Sequence, residues 1–161
     1  MLKENIAKLE SSEIFKKWSA KNEKCHLSHV FFMLDKEIQC QIGYYDPDSS
    51  MVTTFVVDEE ITQNPSEEVF KDEKDVVRMI EIKKVKTDVE EVVKTANDLQ
   101  KEKYKSHNPI KRIVILQHLN IGQVWNITYV TNKMETLNIK IDAETGKVVS
   151  DKLVSLFEFR K

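Results

Sequence analysis

An internal repeat is the feature of this sequence that most restricts its possible folds. Three pairs of segments match in residue pattern and occur in the same order along the chain: residues 13–18 with 91–96, 54–60 with 138–144, and 77–84 with 154–161. The last pair, VRMIEIKK and VSLFEFRK, shares the order apolar, polar, apolar, apolar, Glu, apolar, basic, basic. Such repetition predicts that one supersecondary unit of about 75 residues occurs twice. A unit that small buries little surface alone, so the two copies are expected to pack together.

The repeat divides the chain into a short lead and two units. Residues 1–10 are interpreted as an N-terminal helical lead, residues 11–85 as a divergent first unit and residues 87–161 as a second unit. Each unit reads as one helix followed by four strands. The predicted strands are 29–34, 37–45, 51–58 and 76–83 in the first unit, and 112–118, 123–131, 135–142 and 148–159 in the second. A helix followed by an antiparallel meander predicts an α+β fold with a helix on one face of each sheet.

The last predicted strand of each unit carries apolar residues on both of its faces. Met79 and Ile80 in the first unit, like Leu156 and Phe157 in the second, point to opposite sides of an extended chain. We therefore expect one face to meet the unit's own helix and the other to meet the sister unit, so that the two units pack as one compact body. Residues 61–75 are interpreted as an insert before the first of these strands.

Hydroxyl residues predict where the helices begin. Ser11 or Ser12 can cap a helix that starts at Glu13. The apolar residues before and after this pair lie on nearly opposite sides of a single helix, so we expect either a kink or two short helices at this place. Thr87 and Glu90 have the spacing of a capping box, and the apolar periodicity that follows predicts a helix to about residue 103.

The most specific stretch of the chain lies between residues 124 and 149. A strand with the sequence WNITY, residues 125–129, precedes a strand that ends in Asp142 and continues as DAETGKV. Gly146 supplies the positive φ that this turn needs, and Asp142 can accept amide hydrogen bonds within it. This arrangement resembles the PepSY domain over residues 88–161, and the first unit joins the resemblance only through the internal match.

The resemblance implies a PepSY-like or cystatin-like fold and a non-catalytic role. PepSY domains look like modules that regulate peptidases or bind ligands, in propeptides and in secreted or membrane proteins. The first unit departs from the pattern, because residues 58–62, DEEIT, contain no glycine. Either the turn is opened by the insert that follows, or that copy is degenerate.

Charge and apolar patterning exclude several classes of protein. The chain has 25 Lys and Arg residues against 27 Asp and Glu residues, a net charge of −2, which provides no basic footprint for nucleic acid. The longest apolar run, residues 30–34, has five residues and is too short for a membrane-spanning helix. The N-terminus becomes charged at Lys3 and Glu4, without the apolar region of a signal peptide. We therefore expect a cytoplasmic protein that binds neither nucleic acid nor membrane.

The cysteines and histidines do not have the spacing of a metal site or a disulfide. Cys40 is expected to face Phe32 across a hairpin, with Cys25 beyond its far end, so the two thiols are expected to be free. In a strand, His26 points away from the face that Cys25 and His29 share, and these residues cannot close a tetrahedral site. We predict no metal and no cofactor.

No catalytic arrangement is apparent either. The sequence contains no nucleophile elbow and no glycine-rich phosphate loop, and its three glycines are widely scattered. Paired carboxylates such as Glu59-Glu60 and Glu67-Glu68 are adjacent in the chain, so their side chains splay apart. We predict that the protein is not an enzyme.

Four aromatic residues are the candidates for ligand binding. Tyr44 and Tyr45 point to opposite faces of their strand, and we therefore expect one of them to be exposed at the surface. Trp125 and Tyr129 share a face of theirs, which suggests either core beneath the helix or a groove between helix and sheet for a peptide or small ligand.

The predicted function is that of a non-catalytic intracellular binding or interaction protein with an unknown protein or peptide partner. One alternative is an inhibitor or regulator that docks on a metallopeptidase. A second is a structural or assembly module that forms a homodimer through an unpaired sheet edge. A third is a small enzyme with a cleft between the units.

Overall fold

The architecture is that of an α+β protein, as the sequence predicts. The computed structural model describes residues 1–69 and 76–157. That part of the chain contains three α-helices, α1 (Leu2–Glu10), α2 (Glu13–Lys21) and α3 (Val89–Lys103). Its nine strands are β1 (His26–Leu34), β2 (Ile38–Asp46), β3 (Met51–Val57), β4 (Ile61–Gln63), β5 (Glu67–Glu68), β6 (Pro109–Leu119), β7 (Gly122–Thr131), β8 (Glu135–Asp142) and β9 (Val148–Ser155). None of the described helices is long and apolar enough to cross a membrane.

The predicted break between two N-terminal helices is confirmed. The hydroxyl of Ser12 accepts a hydrogen bond from the amide of Phe15 at 3.3 Å and caps α2. This break lets α1 bury Leu2, Ile6 and Leu9 in the main core, while α2 turns its aromatic residues toward the sheet. Residues 1–10 therefore pack within the same core as the units that follow them.

The helix α3 ends at Lys103, as predicted, but its capping residues differ from the predicted ones. Asp88 and Glu91 form the capping box, one position later than Thr87 and Glu90. The reason is that Thr87 is buried and uses its hydroxyl to donate to the carbonyl oxygen of Ala143 at 2.7 Å. Asp88 is left to cap the helix, and it also accepts from the N-terminal amine of Met1 at 2.7 Å.

All nine strands join one antiparallel sheet. Their order is β4-β3-β2-β1-β6-β7-β8-β9, with β5 on the same edge of β3 as β4. The first strand of each four-strand run lies at the middle, where β1 pairs with β6 from His29↔Gln117 to Leu34↔Arg112. The order of strands is therefore mirrored about the centre of the sheet, with β1–β4 (the first half) on one side and β6–β9 (the second half) on the other.

The predicted fourth strand of the first unit, residues 76–83, is wrong. Residues 76–81 are irregular and a short 3₁₀ helix follows at Ile82–Lys84. The segment crosses the end of the sheet, because the amide of Ile80 donates to the carbonyl of Leu27 and only Ile80 enters the core, while Met79 remains 52% exposed. The fourth strand is instead β4, which lies in the predicted insert after a tight turn at residues 58–60. Residues 70–75 and 158–161, which belong to the insert and to the last repeat match, lie outside the described residues.

The two halves meet edge to edge, and the predicted face-to-face contact through Met79 and Leu156 is wrong. Hydrogen bonds between β1 and β6 make the sheet continuous across the middle of the chain. Backbone hydrogen bonds between β1 and β6 thus join the two halves, in place of the predicted apolar packing between the last strands. The helices lie on one face of this sheet, and the main core between them includes Val30, Phe32 and Val114.

Candidate functional site

Trp125 and Tyr129 lie on β7 beneath α3, and both are fully buried. The indole nitrogen of Trp125 donates to Thr87 Oγ1 at 2.8 Å, and the Tyr129 hydroxyl donates to Asn97 Oδ1 at 2.6 Å. Burial raises the pKa of Tyr129 to about 12, so its hydroxyl keeps the proton that it donates. The interpretation of these two residues as core beneath the helix is confirmed.

Tyr44 and Tyr45 occupy opposite faces of β2, as the alternation predicts, yet both are buried. Tyr44 packs beneath α2 against Phe15, with ring centroids 5.1 Å apart. Tyr45 lies on the other side of the sheet, with its ring centroid 5.6 Å from that of His26. The expectation that one tyrosine is exposed is wrong, because the His26 ring packs against Tyr45. The four candidate aromatic residues thus stand at three separate places.

Both cysteines are free, and Cys40 lies opposite Phe32 as predicted. Burial raises the pKa of the Cys40 thiol to about 12 and also raises the pKa of the half-buried Cys25, so both remain protonated at neutral pH. No cluster of three or more potential metal ligands occurs among residues 1–69 and 76–157.

The face of the sheet opposite the helices, here called the open face, carries no helix among the described residues. Strand alternation places there an apolar strip at the middle of the sheet, formed by Phe31, Met33, Ile113 and Ile115. Uncharged polar side chains surround it: Gln41, Thr54, Gln117, Asn126 and Thr128. Amides and hydroxyls next to apolar side chains are typical of surfaces that recognise uncharged polar groups.

A β-bulge in β1 places Ser28 beside His29 at one end of the open face. The pairing with β2 shifts between Leu27 and His29, so that Ser28 and His29 are not separated by the usual alternation. The hydroxyl of Ser28 lies 3.1 Å from His29 Nδ1 and 3.1 Å from the carbonyl oxygen of Gly43. The bulge thus positions two polar side chains as a pair.

Gly43 lets the His29 ring lie against β2. A Cβ atom at position 43 would be 2.0 Å from His29 Cε1, closer than any non-bonded contact allows. Any other residue would therefore displace the imidazole or bend the strand. The pair formed by Ser28 and His29 was not predicted from the sequence, although an isolated glycine within a strand, here Gly43, indicates the close approach of another group.

The hydrogen bonds around Ser28 determine which nitrogen of His29 carries the proton. The Ser28 hydroxyl is assigned as the donor to the Gly43 carbonyl. With its single proton used in this way, Ser28 Oγ accepts from His29 Nδ1–H, and this tautomer leaves Nε2 with a lone pair and no partner among the described residues. Burial lowers the pKa of His29, so the ring stays neutral at physiological pH.

A cleft runs across the open face at this point. One part, of about 430 Å³, is lined by Ser28, His29, Gln41, Thr54 and Gln117, with Glu67 and Glu68 at its side. It shares Ser28, Val77 and Gln117 with a neighbouring part of about 580 Å³ that reaches His118 and Lys140. Volumes of this size are typical of ligand sites. We call the two parts together the open-face cleft.

The open-face cleft presents hydrogen-bonding groups. In the assigned tautomer the Ser28 hydroxyl donates to a carbonyl, and the imidazole donates to Ser28 Oγ. What the cleft offers is one strong acceptor at His29 Nε2 and the amides of Gln41 and Gln117.

Comparison with known proteins gives a fold and no family. No family model matches the chain, and no curated protein does. Among solved structures, the chain is similar to that of a "putative lipoprotein" from Clostridium difficile 630, with a TM-score of 0.58 and 11% sequence identity. The match covers 88% of this chain and 90% of that chain. At this identity the likeness extends to the fold alone.

Proposed function

We propose that the protein is a non-catalytic cytoplasmic binding protein, built from two PepSY-like units, that holds a protein or peptide partner in the open-face cleft. The observation that carries this proposal is His29 Nε2, a neutral acceptor without a partner among the described residues, in a cleft whose lining combines amides and hydroxyls with valines and two glutamates. An extended peptide presents a regular row of N–H and C=O groups, which such a lining can pair with.

The mirrored strand order supports the two-unit part of the proposal. Each half contributes a run of four antiparallel strands, and the two first strands, β1 and β6, pair at the centre. Duplication of one unit whose first strand pairs with its own copy would produce this order. The turns at Asp58 and Asp142 both join the third strand of a half to the fourth, which supports the match between residues 54–60 and 138–144.

The non-catalytic and cytoplasmic parts of the proposal have their own support. In the assigned tautomer the imidazole of His29 donates to Ser28 Oγ, an arrangement that does not activate this hydroxyl as a nucleophile. Free thiols at Cys25 and Cys40 are compatible with a reducing compartment.

A peptide titration followed by NMR tests the proposed function. Peptides of about twelve residues selected from a random displayed library are added to the ¹⁵N-labelled full chain. We expect the largest amide shifts at His29, Gln41 and Gln117, and a dissociation constant at least tenfold weaker for Gln117→Ala. Gln39→Ala is the matched control, since Gln39 is an exposed glutamine on the same strand as Gln41 and does not line the cleft.

Two results would count against the proposed function. One is that no selected peptide binds with a dissociation constant below about 1 mM. The other is that the shifts fall outside the cleft and both glutamine variants bind equally well.

A further inference from the structure

An arginine occupies a position of the sheet that its neighbours fill with apolar side chains. One row of paired residues runs across β1, β6, β7, β8 and β9 on the helix-covered face: Leu34, Arg112, Tyr129, Leu137 and Leu153. Arg112 shares its face of β6 with Val114 and Leu116, which are fully buried. A charged side chain in such a row is costly unless something pairs with it.

The guanidinium of Arg112 has no ionic partner in the part of the chain that the structure describes. It lies over the Tyr129 ring, with 5.6 Å between Cζ and the ring centroid, and it takes part in none of the ion pairs among the described residues. Its Nε is buried and has no hydrogen-bond partner. The described residues therefore leave the charge of this guanidinium without a counter-ion, and the part of Arg112 that lines a groove can pair with an anionic ligand.

A groove gives access to Arg112. It lies between α3 and the hairpin formed by β1 and β2, with a volume of about 340 Å³. Its apolar walls are Leu34, Ile38, Val89 and Val93, and its polar groups include Arg112 and Asn97. Ile38 is 55% exposed, so that an apolar wall stands open to solvent.

Asn97 adds a second donor beside Arg112. Its Oδ1 accepts from the Tyr129 hydroxyl, and this assigns the NH₂ group to the other terminal atom. That NH₂ group has no hydrogen-bond partner among the described residues. The inner polar end of the groove therefore offers donors from Arg112 and Asn97, whereas the carboxylates of Asp35 and Glu90, both exposed, stand at its rim.

We propose that this groove binds a carboxylate carried on a short apolar chain. The carboxylate pairs with Arg112 and Asn97, and the chain lies along the walls formed by Leu34, Ile38, Val89 and Val93. The acidic residues Asp35 and Glu90 at the rim repel a second negative charge, so the site favours a monocarboxylate. The groove is on the opposite side of the sheet from the open-face cleft, and the proposal does not depend on the function assigned to that cleft.

Calorimetric titration of the full chain compares ligands that differ only in charge. Decanoate is paired with decanol, and the peptide N-acetyl-Leu-Leu is paired with its C-terminal amide. We expect at least one carboxylate to bind at least tenfold more tightly than its uncharged counterpart, because only the carboxylate can form an ion pair with the Arg112 guanidinium. Preference for decanoate identifies a fatty acid as the source of the carboxylate, and preference for the peptide acid identifies a peptide C-terminus.

Variants at neighbouring positions locate the interaction. Arg112→Met keeps an unbranched apolar stem and is expected to abolish the tenfold preference, whereas Lys111→Met removes one positive charge from an exposed neighbour and is expected to leave it unchanged. Equal binding of each carboxylate and its uncharged counterpart to the unmodified protein would overturn the proposal, as would an undiminished preference in a folded Arg112→Met variant. Absence of binding by both carboxylates up to about 1 mM would also overturn it.

Discussion

Each half of the sheet packs a helix over aromatic side chains, but the two helices are held in different ways. In the first half, Phe15 and Trp18 of α2 pack on Tyr44 and Phe55 in tilted and edge-to-face contacts, with ring centroids 5.1 to 5.6 Å apart. In the second half, aromatic side chains of β7 donate hydrogen bonds to residues in α3 or next to it. Trp125 is bound to Thr87 just before α3.

The two helices also differ in how many of their residues are buried. The helix α2 contributes no fully buried residue, whereas α3 buries Val89, Val92, Ala96 and Gln100. Ring stacking tolerates small displacements of a helix, while a hydrogen bond between buried groups requires one geometry. The comparison indicates that α3 is fixed to its half of the sheet and that α2 is the helix that separates from the sheet more readily.

Removal of one tryptophan from each half tests this comparison most directly. Trp125→Ala leaves a large cavity at a fully buried site and is expected to lower the free energy of unfolding by about 3–5 kcal/mol. Trp18→Ala, at a half-buried position of α2, is expected to lower it by about 1–2 kcal/mol. Urea denaturation followed by circular dichroism measures both losses. Losses of equal size would contradict the comparison.

The hydrogen bond between Thr87 and Trp125 accounts for part of the difference. Thr87→Val keeps the shape of the side chain but leaves the buried indole N–H without an acceptor, at an expected cost of about 1–3 kcal/mol. Thr95→Val on α3 is the matched control, because Thr95 donates only to the carbonyl of Glu91 within the same helix. Its expected change is within about 0.5 kcal/mol. Similar losses in the free energy of unfolding for the two variants, measured by urea denaturation, would show that the hydrogen bond from the Trp125 indole contributes little to stability.

The strands that alternate apolar and polar residues were predictable from the sequence, and the irregular connections were not. Strand β8 has the predicted bounds, β2 differs from the prediction by one residue at each end, and β3 and β7 differ by one residue at one end. The segment around Met79 has a strand-like sequence, yet its path is determined by the burial of Ile80 and by the hydrogen bond from the Ile80 amide to the carbonyl of Leu27. These two residues are far apart in the sequence, so their contact leaves no local sequence pattern.

The candidate sites show the same limit at the level of side chains. Alternation correctly assigned Trp125 and Tyr129 to one face, but the helices that bury that face are positioned by tertiary contacts. The proposed ligand site at Arg112 could have been noticed, since alternation puts this residue in phase with Val114 and Leu116. The pairing of Ser28 with His29 depends on a bulge, which the sequence indicates only through the isolated Gly43.

Hydrogen exchange sharpens the comparison between α2 and α3 without any substitution. Because α2 has no fully buried residue, its amides are expected to exchange at least about tenfold faster than those of the middle of α3. Mass spectrometry of peptides from the exchanged full chain measures both helices in one experiment. Equal protection of the two helices would mean that ring stacking holds α2 as firmly as hydrogen bonds hold α3.

The turn between the third and fourth strands also differs between the halves, and the difference predicts a pH effect. Asp142 Oδ1 accepts from the amides of Glu144 and Thr145, at 2.9 and 2.8 Å, whereas Asp58 Oδ1 accepts from Glu59 alone. The bond from the Thr145 amide, with the one from Glu144, holds the pKa of Asp142 below its usual value despite the opposing effect of burial.

A carboxyl group with a lowered pKa stabilises the folded state only while it is ionised. The contribution of Asp142 is therefore complete above the unfolded pKa of about 3.9 and is lost as the pH falls through the lowered folded value. We expect Asp142→Asn to lower the free energy of unfolding by less than about 1 kcal/mol at pH 6, because solvent screens the turn. The difference should decrease as the pH is lowered from 6 to 2.5, in urea denaturation at both pH values, with Asp58→Asn as the matched control. A deficit of equal size at both pH values would mean that the shape of the turn matters and the charge of Asp142 does not.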